Sequence, residues 1–228
     1  MHSVTLTPEG LVTIMSSAKT LPRKFVAVDP SKCIGCGICE YACSSEKGEV
    51  NNWNPVRSRI RVVRMAPVFN FALTCRGCYD ARCVKACPER AITQSEINSL
   101  LIIDEKKCKG CDWCVQACPH GGIAINAETG KAIACNLCQG EPRCIQACPE
   151  EALDTVESDE AADKHFNEAL EKLPAQTENL AAVVKRKDWK PLITTAEQRS
   201  ERIAEKIDAI NKRAEDKKAA EKAADKRK

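Results

Sequence analysis

Sixteen cysteines fall into four runs of four, with none left over. The third run, Cys108-x-x-Cys111-x-x-Cys114-x-x-x-Cys118-Pro119, has the spacing C-x2-C-x2-C-x3-C-P. Cys33, Cys36, Cys39 and Cys43 repeat that spacing, with Ser44 in place of the proline. Cys75, Cys78, Cys83 and Cys87-Pro88 widen the second gap to four residues, and Cys135, Cys138, Cys144 and Cys148-Pro149 widen it to five. Three closely spaced thiolates on a short loop cap three corners of one cubane iron–sulfur cluster. The fourth cysteine is carried away by the following turn and ligates a different cluster, so every such run needs a partner run.

Zinc is the rival ligand, because C-x2-C pairs also build four-thiolate zinc sites. Those sites present two ligands per knuckle, whereas two runs here place three cysteines within seven residues, and a proline follows the fourth cysteine in three runs. Disulfides fit less well. Met1–Phe25 has no basic n-region, no long apolar stretch and no twin-arginine pair, so no export signal is expected and the reducing cytoplasm is the expected compartment. A folded electron-transfer subunit exported on its partner's signal is the exception. No stretch approaches the roughly 20 apolar residues of a spanning helix.

Composition points the same way. Aromatic residues make up only 4% of the chain, so metal–thiolate bonds are expected to carry much of the core, with metal binding coupled to folding. The formal charge is +3, but an oxidised cubane with four thiolates carries about −2. Four of them turn the loaded protein acidic by roughly −8, and no nucleic-acid partner is implied. Three forms of C-P-x-x-small-aliphatic follow the fourth cysteines, at Cys87–Ile92, Cys118–Ile123 and Cys148–Leu153. The proline fixes φ and turns the chain away from the cluster. Gly35, Gly37, Gly77 and Gly110 let the backbone curl toward sulfur, although tight turns alone would also account for them.

In chain order, residues 1–24 read as an N-terminal arm. Phe25–Asp29 and Leu101–Asp104 read as strands that lead into cysteine loops, and Ile123–Ile125 reads as a returning strand. Between Cys43 and Cys75, Arg57, Arg59, Arg61 and Arg64 alternate with Val56, Ile60, Val62 and Val63. That pattern suggests a strand whose basic face is either solvated or meets a partner or an acidic cluster surface. Trp53 is expected to pack. From residue 156 onward the cysteines stop. Asp163–Leu173 suggests a helix that ends before Pro174, and Thr194-x-x-Glu197 suggests a capping box that opens a longer one. Ile203, Ile207, Ile210 and Ala214 form a narrow stripe on that helix, suited to a partner subunit, to a second copy, or to a frayed charged tail. His2, His120 and His165 are isolated, and no catalytic constellation is present in the sequence.

The four runs, with the widened gaps in the second and fourth, resemble the four-cluster ferredoxin-type subunits of the dimethyl-sulfoxide-reductase superfamily. Similar subunits accompany formate dehydrogenases, hydrogenases, carbon monoxide dehydrogenases and tungsten aldehyde oxidoreductases. Asn54-Pro55-Val56-Arg57-Ser58-Arg59-Ile60 and Cys138-Gln139-Gly140-Glu141-Pro142-Arg143-Cys144 are most similar to the aldehyde oxidoreductase and carbon monoxide dehydrogenase branches. The resemblance covers residues 25–155 and leaves out the arm and the tail.

The resemblance implies an α+β fold in which two ferredoxin-like modules in a pseudo-twofold arrangement occupy residues 25–155. An α-helical C-terminal tail follows over residues 156–228. It also implies nested pairing of the runs around four 4Fe-4S clusters. Cluster 1 takes Cys33, Cys36, Cys39 and Cys148; cluster 2 takes Cys75, Cys78, Cys83 and Cys118. Cluster 3 takes Cys108, Cys111, Cys114 and Cys87; cluster 4 takes Cys135, Cys138, Cys144 and Cys43. The implied role is one-electron relay, without substrate chemistry on this chain. The implied partners are a catalytic tungsten, molybdenum or nickel subunit and a soluble carrier or flavin subunit. A free-standing polyferredoxin and a self-associating electron wire are the alternatives.

Overall fold

In the computed structural model, the described residues are 23–45, 54–65, 69–187 and 190–225. Trp53 and nearly all of the N-terminal arm lie outside them. Every cysteine run is entered by a strand: β1 (Phe25–Val28), β3 (Phe69–Leu73), β5 (Leu101–Ile103) and β7 (Lys131–Ala134). A short helix carries the last part of each run: α1 (Ile38–Ser44), α2 (Arg82–Lys85), α3 (Trp113–Gln116) and α4 (Arg143–Ala147). The chain then leaves along β2 (Arg61–Met65), β4 (Ile92–Gln94), β6 (Ile123–Asn126) and β8 (Leu153–Val156). The small helices and strands therefore repeat with the cysteines.

Among the described residues these strands form four two-stranded antiparallel sheets. Three are hairpins that connect successive runs: Arg61 faces Leu73 in β2–β3, Ile92 faces Ile103 in β4–β5, and Ile123 faces Ala134 in β6–β7. The fourth closes the unit end to end, with Phe25 opposite Val156 and Val28 opposite Leu153. Strands of three to five residues bury too little surface to stand alone. Each sheet leans on a core in which cysteines of two runs pack with aliphatic side chains.

Among the described residues there are two such cores. One gathers Cys75, Cys83, Cys108 and Cys114 with Ile92, Leu101 and Ile123, and Cys87 and Cys118 pack against it. The other gathers Cys39, Cys144 and Cys148 with Val26, Ile60 and Leu137, and Cys33 and Cys43 pack against it. Cys135 touches both. The second and third runs thus share one core, and the first and fourth share the other.

Two long helices follow. In α5 (Asp159–Arg186), Ser158 Oγ accepts from the Ala161 N–H and Asp159 and Glu160 fill the first turn, favourable cap chemistry. Phe166 wedges edge-on between Phe69 and Phe71, with ring centroids 5.5 and 5.4 Å away, and Ala162 is buried against Phe25 and Ala27. The helix does not stop before Pro174 as its sequence suggests; it runs through to Arg186. Pro174 is exposed, so water serves the carbonyl it leaves unpaired, and the cost is local.

The last helix, α6 (Lys190–Asp225), begins four residues before Thr194, so Thr194 is not its cap. Its isoleucine stripe is neither frayed nor vacant. Ile203, Ile207 and Ile210 pack on Ile38, Ala42 and Ala147 of α1 and α4. Polar clasps flank the stripe: Tyr41 Oη reaches Asn211 at 3.0 Å, Arg202 reaches Glu150 at 2.8 Å, and Arg213 reaches Gln146. Among the described residues no helix is long and apolar enough to cross a membrane.

Candidate iron–sulfur centres

The ligand turns share one construction. After the fourth cysteine of three runs, the residue four positions on donates its N–H to sulfur. Ala91 donates to Cys87 at 3.3 Å, Gly122 to Cys118 at 3.3 Å, and Ala152 to Cys148 at 3.2 Å. The residue just before each donor is left-handed: Arg90 (φ 49°), Gly121 (φ 61°) and Glu151 (φ 50°). This explains the small residue in C-P-x-x-small, because its backbone must close on the sulfur. Cys43 lacks the proline and finds its donor elsewhere: the Arg59 N–H lies 3.2 Å from its Sγ.

The first two cysteines of each run bracket a tight bend, and the third lies on the short helix that follows. At Gly35, Gly77 and Gly110 the bend is left-handed and glycine meets it freely. The fourth run has Leu137 there, with φ 53°, followed by Cys138 and Gln139 also at positive φ. Leu137 fills the second core, and burial offsets the steric cost of that conformation. The Asn136 side chain accepts from the Cys138 N–H at 3.1 Å and pins the bend.

Thiols from different runs meet. Burial pushes Cys33 and Cys36 up, and the neighbouring charge of Cys148 adds to it. Burial also pushes up Cys83 and Cys78, with Cys118 contributing at both. Cys75, Cys78, Cys83 and Cys118 together line one pocket walled by Leu101 and Ile123. Cys135 rises to about 11 and Cys144 rises further, again by burial first, and Cys43 acts on both. Cys114 rises to about 11 by burial, with Cys108 and Cys111 beside it; Cys87 packs against the core that contains Cys108 and Cys114.

Electrostatic influence also links one group of thiols to the next. Cys39 feels Cys144 most strongly among its thiol neighbours, and Cys75, which burial holds at about 12, feels Cys135. Of the sixteen cysteines, Cys36 and Cys111 are exposed. Among the described residues, no group of three or more His, Cys, Asp or Glu side chains closes around a single metal ion. Thiols that bind the separate irons of a cubane need no such convergence. As a donor set, soft thiolates with backbone N–H groups aimed at sulfur suit iron–sulfur chemistry.

The arginines of the insert do not form a free basic face. Arg57 Nε lies 2.6 Å from Glu128, Arg61 binds the carbonyls of Pro55 and Val56, and Arg64 Nε donates to the Gly35 carbonyl at 2.7 Å. Glu40 accepts the Val62 N–H at 3.0 Å, so the β2 strand is fastened to the first cysteine loop. His120 lies in the turn after Cys118-Pro119, and burial lowers its affinity for a proton. Arg23 escaped the sequence reading; it is 6% exposed and holds the second cysteine loop to α5. A lone arginine ahead of a strand carries no periodic signal.

Comparison with known proteins agrees with the donor set. Residues 66–158 match the 4Fe-4S dicluster domain and residues 25–47 match a 4Fe-4S binding domain. The polyferredoxin-like subunit of aliphatic sulfonate oxidoreductase from Pyrococcus furiosus is 39% identical over 54% of this chain and 70% of its own length. The thiosulfate reductase electron transfer subunit PhsB of Salmonella typhi is 36% identical over 48% of this chain and 59% of its own. The electron transport protein HydN of Escherichia coli is 32% identical over 51% of this chain and 76% of its own. The chain belongs to the 4Fe-4S dicluster ferredoxin-type family of electron-transfer subunits of oxidoreductase complexes.

Proposed function

We propose that this chain holds four 4Fe-4S clusters and relays electrons between a catalytic oxidoreductase subunit and a second redox partner in the cytoplasm. The carrying observation is that a fourth cysteine packs with the first three of another run: Cys148 shares one core with Cys33 and Cys39, and Cys118 lines one pocket with Cys75, Cys78 and Cys83. Cys43 likewise lies beside Cys135 and Cys144.

The ligand sets are then Cys33, Cys36, Cys39 and Cys148; Cys75, Cys78, Cys83 and Cys118; Cys108, Cys111, Cys114 and Cys87; and Cys135, Cys138, Cys144 and Cys43. The shared core of the first and fourth runs and that of the second and third favour two ferredoxin-like modules in pseudo-twofold relation over residues 25–155. Bound clusters supply one-electron redox chemistry at potentials set by charge, hydrogen bonding and exposure. The protein's own contribution is to hold the thiols, direct N–H groups at them and keep water away. The charge of Cys144 acting on Cys39 and that of Cys135 acting on Cys75 support the order first, fourth, second, third, with exposed Cys36 and Cys111 in the two end sets. Those ends are the ports for the two partners.

The catalytic partner we favour is a tungsten or molybdenum aldehyde or formate oxidoreductase. The match to subunits of a sulfonate oxidoreductase and a thiosulfate reductase supports an oxidoreductase partner of that general kind. The test is elemental analysis of the complex isolated anaerobically from native cells. About 16 iron per copy of this chain, beyond the partner's own, is expected for four cubanes, with tungsten or molybdenum alongside. About 8 iron would overturn the four-cluster reading, and nickel would reassign the partner to carbon monoxide dehydrogenase or hydrogenase.

A further inference from the structure

The loop that carries Cys75 and Cys78 is clasped by charges that the relay itself does not require. Arg23 Nε donates to the carbonyl of Arg76 at 2.8 Å. Its two terminal nitrogens grip the Asp159 carboxylate at 2.8 and 2.6 Å. The guanidinium carbon lies 4.7 Å from the ring centre of Phe25 and 5.2 Å from that of Tyr79. Arg76 and Tyr79 flank Cys78 in sequence, so the cation is anchored on both sides of that thiol. Arg76 in turn reaches Asp163 at 2.9 Å and Asp159 at 3.4 Å.

The network is neutral overall, yet it is polarised. The side chains of Arg23 and Arg76 are 2% and 23% exposed, whereas those of Asp159 and Asp163 are 40% and 53% exposed. The anions face water and are screened; the cations face the protein, where a charge acts farther.

We infer that Arg23 is a positioning residue that sets the potential of the cluster held by Cys75, Cys78, Cys83 and Cys118, and that Asp159 moderates it. The inference rests on that ligand set. Reduction brings one electron from an outside donor and makes the site more negative by one charge, with no protein bond made or broken. A fixed cation beside Cys78 stabilises that added charge and raises the potential. Because Asp159 opens α5, the C-terminal extension reaches into the redox unit through this contact.

The test is an EPR-monitored redox titration of the full-length loaded protein. Cys78→Ser and Cys118→Ser are made first, and both are expected to alter the same one of four signals. If they alter different signals, the ligand set is wrong and the inference falls with it. With the signal assigned, Arg23→Gln is expected to move its midpoint to more negative values and Asp159→Asn to more positive ones. Arg23→Lys, which keeps the charge and loses the fork, is expected to leave it in place. The other three signals are expected not to move. A merely structural role predicts shifts of the same sign, or of several signals together, and either result overturns the inference, as does no shift at all. Should Arg23→Gln fail to load iron, the positive shift in the isosteric Asp159→Asn still decides the matter.

Discussion

Gly122→Ala isolates one steric contact at a ligand turn. Gly122 is absent from the positive-φ residues, so alanine suits its backbone and only space is in question. An added Cβ would lie 2.3 Å from the Thr74 carbonyl oxygen, 2.5 Å from Cys75 Cα and 2.6 Å from Cys75 N. Real Cβ atoms essentially never approach closer than 3.0 Å, so the strand end must retreat by at least 0.7 Å, the difference between 3.0 and 2.3. The obstacle is backbone, and it is pinned, because buried Thr74 donates from Oγ1 to the Val26 carbonyl at 2.7 Å.

Overpacking of this kind costs about 1–3 kcal/mol, and more where backbone must move. The retreat displaces Cys75 and disturbs the Gly122 N–H that points at Cys118, so two thiols lining one pocket are moved together. The expected result is a protein that loses roughly four of its iron atoms, one cubane. Gly121→Ala is the control: its Cβ would meet only the Leu73 side chain, nearest at Cδ1 at 2.9 Å, and no backbone, and its cost is the positive φ of +61°, about 1–2 kcal/mol. Iron and acid-labile sulfide, with the thermal midpoint, read out both variants. Full iron in Gly122→Ala, with a midpoint no lower than that of Gly121→Ala, would refute the steric reasoning.

Removing α6 from residue 190 onward uncovers Ile38, Ala42 and Ala147 and gives up three half-buried isoleucines, roughly 1 kcal/mol each. Iron content should stay complete while bleaching in air quickens; an unchanged bleaching rate would mean the helix shields nothing. Arg57→Ala breaks an ion pair whose side chains are 34% and 39% exposed, so the denaturant midpoint should barely move, and a clear fall in that midpoint would refute the assignment. Burial raises Cys75 to about 12 and Cys114 and Cys135 to about 11, so these thiols favour the folded empty chain below pH 9 and withdraw that support as pH rises through their raised values. Protons then compete with iron throughout pH 6–9, and chelator-driven iron loss should slow steadily as pH rises across that range; a rate independent of pH would count against buried thiols.

The ligand turns were legible because everything that shapes them is local. A cysteine, its proline, a left-handed residue and a small donor occupy five successive positions, and the repeat at Cys87, Cys118 and Cys148 exposes the rule. Where a run departs from the rule, the substitute is remote: Cys43 takes its N–H from Arg59, sixteen residues away, and nothing near Cys43 in the sequence announces it. The left-handed Leu137 was hidden for a related reason, since tertiary burial holds an apolar residue where glycine is expected. Pro174 misled because proline ends helices by intrinsic cost, whereas α5 is fastened upstream by Phe166 and continues on exposed backbone. The narrow isoleucine stripe of α6 was visible, but an amphipathic face names no partner, and here the partner is α1 and α4 of the same chain.

This division has a functional side. Residues that bind iron are set by spacing, while those that adjust the surroundings of the thiols come from far along the chain. Arg23 and Asp159 stand 136 residues apart, and Arg64 reaches Gly35 across 29. With the same four thiolates on each cubane, cluster potential is set by net charge, hydrogen bonding and exposure. Two chains with the same sixteen-cysteine framework can therefore differ in redox direction without any change in their motifs. The difference would lie in pairs such as Arg23–Asp159, where one end stands just ahead of the cysteine unit and the other on the segment that follows it.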